Sequence, residues 1–359
     1  MLLLSDHEPG HRRFPATGTL CAKLGSLRFL VKLLLMTDLV EIHDASRADQ
    51  ERSHCDQLEQ GNILFFSTIP FEFPAAEREF LLDQRQSGKA YHKNIAYRPS
   101  QDRLSGSAKR SREEEDRLRR VMRSYSERCT RFLSALLPRY AAEWKIDFAS
   151  FRPQEEAGRQ IRQRARNDLL HIDSFPTRPT NGDRILRFFS NINPSSARVW
   201  LTGETFEELA QHIRPADQWG PQPGPDDSIT RRTLNGAKTL LPRQERSIIS
   251  RAAHSVLGIA RSAGLPLAYA SPYDKFMHRF HNYLKQNQPF QDACPKRRWE
   301  FPPNSSWIVF TDMVSHAVLS GRFALEQTYI VSRRSLLFPG KAPAALLENL
   351  VGYPVTLRR

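Results

Sequence analysis

LLHIDSFPTRPTNGDRILRFFSNIN, residues 169–193, decides how this chain folds. Two apolar runs, LLHID and RILRFFSNIN, read as strands on either side of FPTRPTNGD, whose Pro and Gly residues favour turns over helix. Side chains two apart in a strand lie on one face, so Leu169, His171 and Asp173 share a face. An imidazole and a carboxylate facing inward from a sheet cost desolvation energy unless something takes them up. A hydrogen bond between the two is one solution, and a metal ion is another.

A metal needs a third ligand, and His316 in TDMVSHAVL, directly after an apolar run, is the best placed. Two His and one carboxylate on one side of a metal leave positions open for small molecules, the arrangement of non-haem Fe(II) oxygenases. Such a site holds Fe(II) with room for a co-substrate and O₂, and one such co-substrate is 2-oxoglutarate. The far carboxylate of 2-oxoglutarate calls for a cation. Arg322, six residues past His316 across Ser320-Gly321, is one candidate. Alternation in RILRFFSNIN puts Arg187, Asn191 and Asn193 on one face. If that face looks inward, Arg187 and Asn193 help to hold the co-substrate. The opposite orientation buries Phe188 and Ile192 and leaves Arg187 on the surface. H-x-D is a short pattern that arises by chance, so at this level the His–Asp hydrogen bond stays open beside the metal.

Working outward, residues 60–82 read as a strand followed by a short helix. Residues 85–112 hold eight Lys or Arg against one Asp and read as a solvated loop or an anion-facing lip. Ser111 to Trp144 reads as one long helix: Leu118, Val121, Met122, Tyr125, Cys129, Phe132, Leu133 and Leu136 recur at steps of three and four behind an acidic start. Residues 203–290 read as a mainly helical insertion, including a helix over 243–264 and another over 272–287. On that second helix His278 and His281 stand three apart, which reads as packing or substrate contact rather than a second metal pair. SSWIVFTDMVSHAVL and RFALEQTYIV return to strand, with Gly321 between them. Strands on both sides of a helical insertion predict an α+β chain: an antiparallel double-sheet core with packed helices, not a βαβ sheet. G-x-G-x-x-G, Walker, H-E-x-x-H and G-x-S-x-G motifs do not occur.

Composition narrows the partners. The 359 residues carry a formal charge of +14, which predicts an anionic partner: nucleic acid, an anionic membrane surface, or an acidic or phosphorylated substrate. Four cysteines, none in a C-x-x-C pair, argue against a zinc ribbon, a redox dithiol or a disulfide scaffold and suit a reduced, cytoplasmic compartment. LGSLRFLVKLLLM, residues 24–36, is too short to span a bilayer and carries Arg28 and Lys32. Residues 1–35 are set apart, as a surface amphipathic helix or as an extension foreign to the native protein with Met36 as its start. Residues 36–359 are expected to form a single domain.

At KNIAYRP (93–99), HIDSFPTRPTNGDRILRFFSNINP (171–194), SPYDKFMHRFHNYLKQN (271–287) and FPPNSSWIVFTDMVSHAVLSGRFALEQT (301–328), the chain resembles the Kdo 3-hydroxylases of Gram-negative bacteria. Kdo is 3-deoxy-D-manno-oct-2-ulosonic acid, the acidic sugar that joins lipid A to the core oligosaccharide. The resemblance runs from about residue 56 to the C-terminus. It implies an Fe(II)- and 2-oxoglutarate-dependent dioxygenase with a double-stranded β-helix, or jelly-roll, core. The ligands it implies fall on His171, Asp173 and His316. The implied reaction hydroxylates C3 of Kdo in Kdo–lipid A during assembly of the lipopolysaccharide inner core. Such an enzyme works in the cytoplasm, with peripheral contact at the inner membrane and no role for nucleic acid. Arg178, Lys285 and Arg298 are then the expected partners of the sugar carboxylate and lipid phosphates.

Two other readings compete. One keeps the oxygenase fold with a different substrate. The other is a non-enzymatic basic protein for RNA or an anionic surface, which would need aromatics interleaved with exposed Arg and Lys. Here Trp and Phe sit mainly within apolar strand patterns.

Overall fold

The structure, a computed structural model, describes residues 37–43, 50–87, 94–108, 111–159, 161–213, 234–242 and 270–357. Eleven strands are found among the described residues: β1 (Leu39–Glu41), β2 (Ile63–Phe66), β3 (Ile95–Arg98), β4 (Arg103–Ser105), β5 (Lys145–Arg152), β6 (Arg184–Asn191), β7 (Arg198–Thr205), β8 (Arg297–Phe301), β9 (Ser306–Phe310), β10 (Val314–Ser320) and β11 (Ala324–Val331). They form a large sheet in the order β1-β2-β9-β6-β11-β5-β3-β4 and a small one in the order β10-β7-β8. Only β1 and β2 pair in parallel. The helices are α1 (Glu51–Glu59), α2 (Ala75–Leu82), α3 (Arg112–Leu136), α4 (Pro138–Ala141), α5 (Phe206–His212), α6 (Pro272–Gln286), α7 (Gln288–Ala293) and α8 (Pro343–Val351). The chain is thus α+β, and Thr37–Arg359 is one compact unit.

Both faces of β6 are buried: Phe188 and Ile192 lie in the core, and Arg187 on the opposite face is buried too rather than left on the surface. Phe188 turns to the helical side, where its ring meets Phe132 of α3 at 6.0 Å and Phe71 at 5.9 Å. Phe189 turns inward and packs edge-on against Trp200 of the small sheet at 4.8 Å. Trp307 and Phe301 stack at 3.8 Å beside them, and Trp200 closes edge-on over Trp307. This aromatic layer binds the two sheets and fixes their spacing.

α3 starts where the sequence puts it: the Ser111 hydroxyl accepts from the Glu114 N–H, with three Glu in the first turn. It stops at Leu136, short of Trp144, because Pro138 has no N–H to donate and opens a new helical turn. The run SSWIVFTDMVSHAVL is two strands. Thr311–Met313 carries the chain from β9 in the large sheet to β10 in the small one. Buried Asp312 in that turn pairs with Arg184 at 2.9 Å. Residues 203–205 complete β7, so the helical region begins at Phe206. The helix expected over 243–264 lies outside the described residues, as do residues 1–35. The basic stretch 85–112 contributes β3 and β4 at the sheet edge, where Asp102 is gripped by Arg119 and Arg123.

Candidate metal centre

Residues 169–173 lie along the edge of β10. His171 N–H donates to the His316 carbonyl (3.0 Å), and His316 N–H returns a bond to the His171 carbonyl (2.8 Å). This two-way bond makes the histidines cross-strand neighbours, with ring centroids 4.7 Å apart. Asp173 N–H continues the pairing to the Thr311 carbonyl (2.8 Å). Trp200 stacks on the His316 ring at 5.3 Å and holds its plane.

Each ring is anchored through Nδ1. His171 Nδ1–H donates to the Leu169 carbonyl at 2.7 Å, and His316 Nδ1–H to the Val314 carbonyl at 2.9 Å. A carbonyl only accepts, so in the neutral rings the protons sit on Nδ1 and both Nε2 atoms carry a lone pair. Those Nε2 atoms lie 3.6 and 4.0 Å from Asp173 Oδ1. The other oxygen of Asp173, Oδ2, accepts from Arg187 at 2.6 Å. Both nitrogens therefore face one carboxylate oxygen, and the protein binds the remaining polar atom of each group.

Electrostatics agree with the geometry. Burial pushes both imidazoles below their ordinary pKa, and the Lys285 ammonium adds to this. Burial also raises the Asp173 carboxyl, but the Arg187 guanidinium beside it reverses this and holds the group well below the usual carboxylate range. Neutral rings with lone pairs beside a carboxylate are the protonation states a divalent metal needs. The donor set thus fits a metal held by His171, Asp173 and His316.

A buried ion chain runs away from this point. Arg187 bridges Asp173 to Glu326 (2.6 Å), Glu326 meets Arg152 (3.1 Å), and Arg152 meets Glu156 (3.4 Å). Glu156 in turn faces Arg198 (3.6 Å) and Arg159 (3.3 Å). Burial works against the Glu326 charge, yet Arg152 and Arg187 bring its carboxyl down to about 2.

The expected anion-binding residues divide. Arg187 faces inward, but its first partner is the candidate ligand Asp173. Lys285 is buried and close enough for its charge to act on both histidines. Arg322 is a correction: it is exposed, lying over the Phe323 ring at 3.9 Å, because the turn at Gly321 sends it outward. Asn193 is another: its side-chain oxygen accepts from Ser195 N–H and Ser196 N–H, closing the turn after β6. Arg298 sits on the exposed face of β8, paired with Glu300 at 2.8 Å, while its neighbour Trp299 takes the other face. Arg178 is gripped by Asp147 and lies over the Phe175 and Phe148 rings.

His281, read from the sequence as a packing or substrate-contact residue, lies close to the candidate ligands. Among the described residues, His171, Asp173 and His281 form a group whose donor atoms all lie within 4.8 Å of one another. The sequence signal was its spacing from Lys285: four residues on a helix put both on one face. Glu326 also escaped notice, although a lone carboxylate within ALEQTYIV is the mark of a buried ion pair.

The chain covers 89% of its own length and 98% of theirs in matches to three solved structures, each described as a non-heme Fe(II) alphaketoglutarate-dependent dioxygenase. These are the Kdo hydroxylase KdoO without ligand (33% identity, TM-score 0.69), with cobalt(II) (33%, 0.70), and with alphaketoglutarate and Fe(III) (32%, 0.68). A family model described as 3-deoxy-D-manno-oct-2-ulosonic acid (Kdo) hydroxylase matches residues 41–354, and the chain belongs to this family. It is an enzyme, so the reading as a non-enzymatic basic binding protein falls. No curated protein sequence matches the chain significantly.

Proposed function

We propose that the chain binds Fe(II) through His171, Asp173 and His316 and, with 2-oxoglutarate and O₂, hydroxylates C3 of Kdo in Kdo–lipid A. The observation that carries this reading is the convergence of two imidazole Nε2 atoms and Asp173 Oδ1, each held by a bond to its other polar atom. The bound iron supplies activation of O₂ at the expense of 2-oxoglutarate, which leaves as succinate and CO₂. The protein's share is to orient and to exclude water. Trp200 holds the plane of the His316 ring, and Arg187 takes Asp173 Oδ2 so that Oδ1 faces the two Nε2 atoms and would be free to hold the metal with them.

Strand order supports a double-stranded β-helix. From β5 onward the chain alternates between sheets: β5 in the large, 169–173 in the small, β6 in the large, β7 and β8 in the small, β9 in the large, β10 in the small, β11 in the large. Four strands then face four, with the triad on the small sheet looking across at Arg187 and Glu326 on the large one. Positive charge around that space suits an anionic co-substrate. Arg152, Arg159, Arg187, Arg198 and Lys285 stand against Asp173, Glu156 and Glu326. Lys285 and Arg187 are the residues we assign to the co-substrate or sugar carboxylates, with Arg178 at the rim.

Among the described residues no helix is long and apolar enough to cross a membrane. A glycolipid substrate then places the enzyme at the cytoplasmic face of the inner membrane as a peripheral visitor. In the deciding experiment, purified protein with Fe(II), 2-oxoglutarate and Kdo–lipid A forms succinate, and mass spectrometry finds one added oxygen on Kdo. Full activity in both His171→Ala and Asp173→Ala would refute the triad.

A further inference from the structure

The segment carrying His171 and Asp173 runs beside β10, joined to it on one side by the isolated His171–His316 bridge. Its odd-numbered backbone groups pair with the β10 side: His171 with His316, and Asp173 N–H with the Thr311 carbonyl. Its even-numbered groups point the opposite way, as the alternation of an extended segment demands, and among the described residues no strand meets them there. Buried peptide groups without partners are costly, and an unpaired edge is free to slip. A one-residue slip would turn His171 and Asp173 to the wrong face.

Side chains from α6 and α7 fill this role. Gln291 accepts from the Leu170 N–H at 2.9 Å and donates to the Leu170 carbonyl at 2.9 Å, the two bonds a neighbouring strand would make. A further bond to the Leu284 carbonyl (2.8 Å) holds Gln291 to α6. His281 Nδ1 bonds the Ile172 carbonyl at 2.7 Å, between the two candidate ligands. Its ring then stands edge-on to His171, with centroids 4.9 Å apart. The pairing of β10 and this side-chain brace together fix residues 170–173 from both edges.

We propose that His281 and Gln291 are positioning residues. They act as a substitute strand that sets the register of 169–173 and so the convergence of the metal ligands. The inference rests on the triad reading, but its own content, a brace acting through Leu170 and Ile172, exists without metal.

The test uses the full-length protein stripped of metal. Co(II) is titrated in and followed by its visible absorption, while hydrogen exchange of the 170–173 amides is measured before metal is added. His281→Phe keeps a ring and removes the donor. His281→Asn keeps an N–H donor at the Nδ1 position and removes Nε2. H281F is expected to bind Co(II) about 10- to 100-fold more weakly, the usual effect of losing a group that orients a ligand. Its 171 and 173 amides should exchange faster, and H281N should recover both properties to within a few-fold. Gln291→Leu should accelerate exchange at 170 most. Wild-type Co(II) affinity with unchanged exchange in H281F overturns the proposal. So does an H281N as weak as H281F, because that makes His281 a ligand rather than a brace. Failure of the triad reading looks different: His171→Ala then retains Co(II), whatever exchange shows in H281F.

Discussion

Replacing Glu326 with Gln removes one negative charge and almost no volume from the middle of the buried ion chain. Glu326 is 3% exposed and lies between Arg187 (2.6 Å) and Arg152 (3.1 and 3.2 Å). Burial alone would raise its pKa; the two guanidinium groups reverse that and bring it to about 2, from an ordinary 4.5. A pKa lower in the folded than in the unfolded state means that the charged form stabilises the fold. At about 1.4 kcal/mol per unit this amounts to about 3 kcal/mol, fully present above pH ~4.5 and lost as pH falls towards ~2. Breaking a buried pair by removing one partner costs about 3–5 kcal/mol in other proteins, which agrees. E326Q should therefore lose about 3 kcal/mol in urea unfolding at pH 7. The gap to wild type should narrow steadily below pH ~4.5, because acid does to wild type what the substitution has already done. A loss under about 1 kcal/mol at pH 7, or a gap that stays constant in acid, would refute the reasoning.

Other outcomes follow from single residues. Arg322→Ala should leave kcat and the KM for 2-oxoglutarate within about twofold of wild type, since the side chain is exposed on Phe323; a large rise in KM would restore it to the site. Gly321→Ala should cost about 1–3 kcal/mol in thermal unfolding, because φ is +113° and a Cβ would stand 3.0 Å from the Arg198 Cα. In the native protein Cys55, Cys129 and Cys294 should resist a thiol reagent until denaturant is added. Burial raises all three thiols, with Cys55 and Cys294 pushed up to about 12; quantitative labelling without denaturant would contradict this.

The elements that sequence reveals here are those whose pattern is local. α3 repeats its apolar residues at three and four, and β6 and β11 hold short apolar clusters, ILRFF and TYIV, next to turn residues. β5, β7 and β8 escaped, since KIDFASFR, RVWLTGET and RRWEF mix polar and apolar residues and their pairing comes from distant partners. Within the site, H-x-D is readable from period two, but choosing His316 among eleven histidines needed an apolar strand beside it. Arg322 failed because a count of residues past His316 carries no information about which way Gly321 turns the chain. Arg152, by contrast, reaches Glu326 from 174 positions away, and no local pattern could announce that pairing.

The net charge of +14 first suggests a basic surface, yet part of the positive charge lies inside. Arg184, Arg187, Arg198 and Lys285 are all less than a tenth exposed. Arg184 is matched by Asp312 in the turn between β9 and β10, a structural pair. Arg187 and Arg198 belong to the buried ion chain that starts at the candidate ligand Asp173, Lys285 lies close enough to act on both histidines, and the buried Nε atoms of Arg187 and Arg198 have no acceptor. Leaving buried donors unmet costs about 1–3 kcal/mol each, which a fold tolerates where a ligand later meets them. A dianionic co-substrate between the sheets would supply oxygen acceptors and negative charge together. The same buried cations would repel a cationic group and favour an acidic one, and so carry an electrostatic preference that a count of net charge does not show.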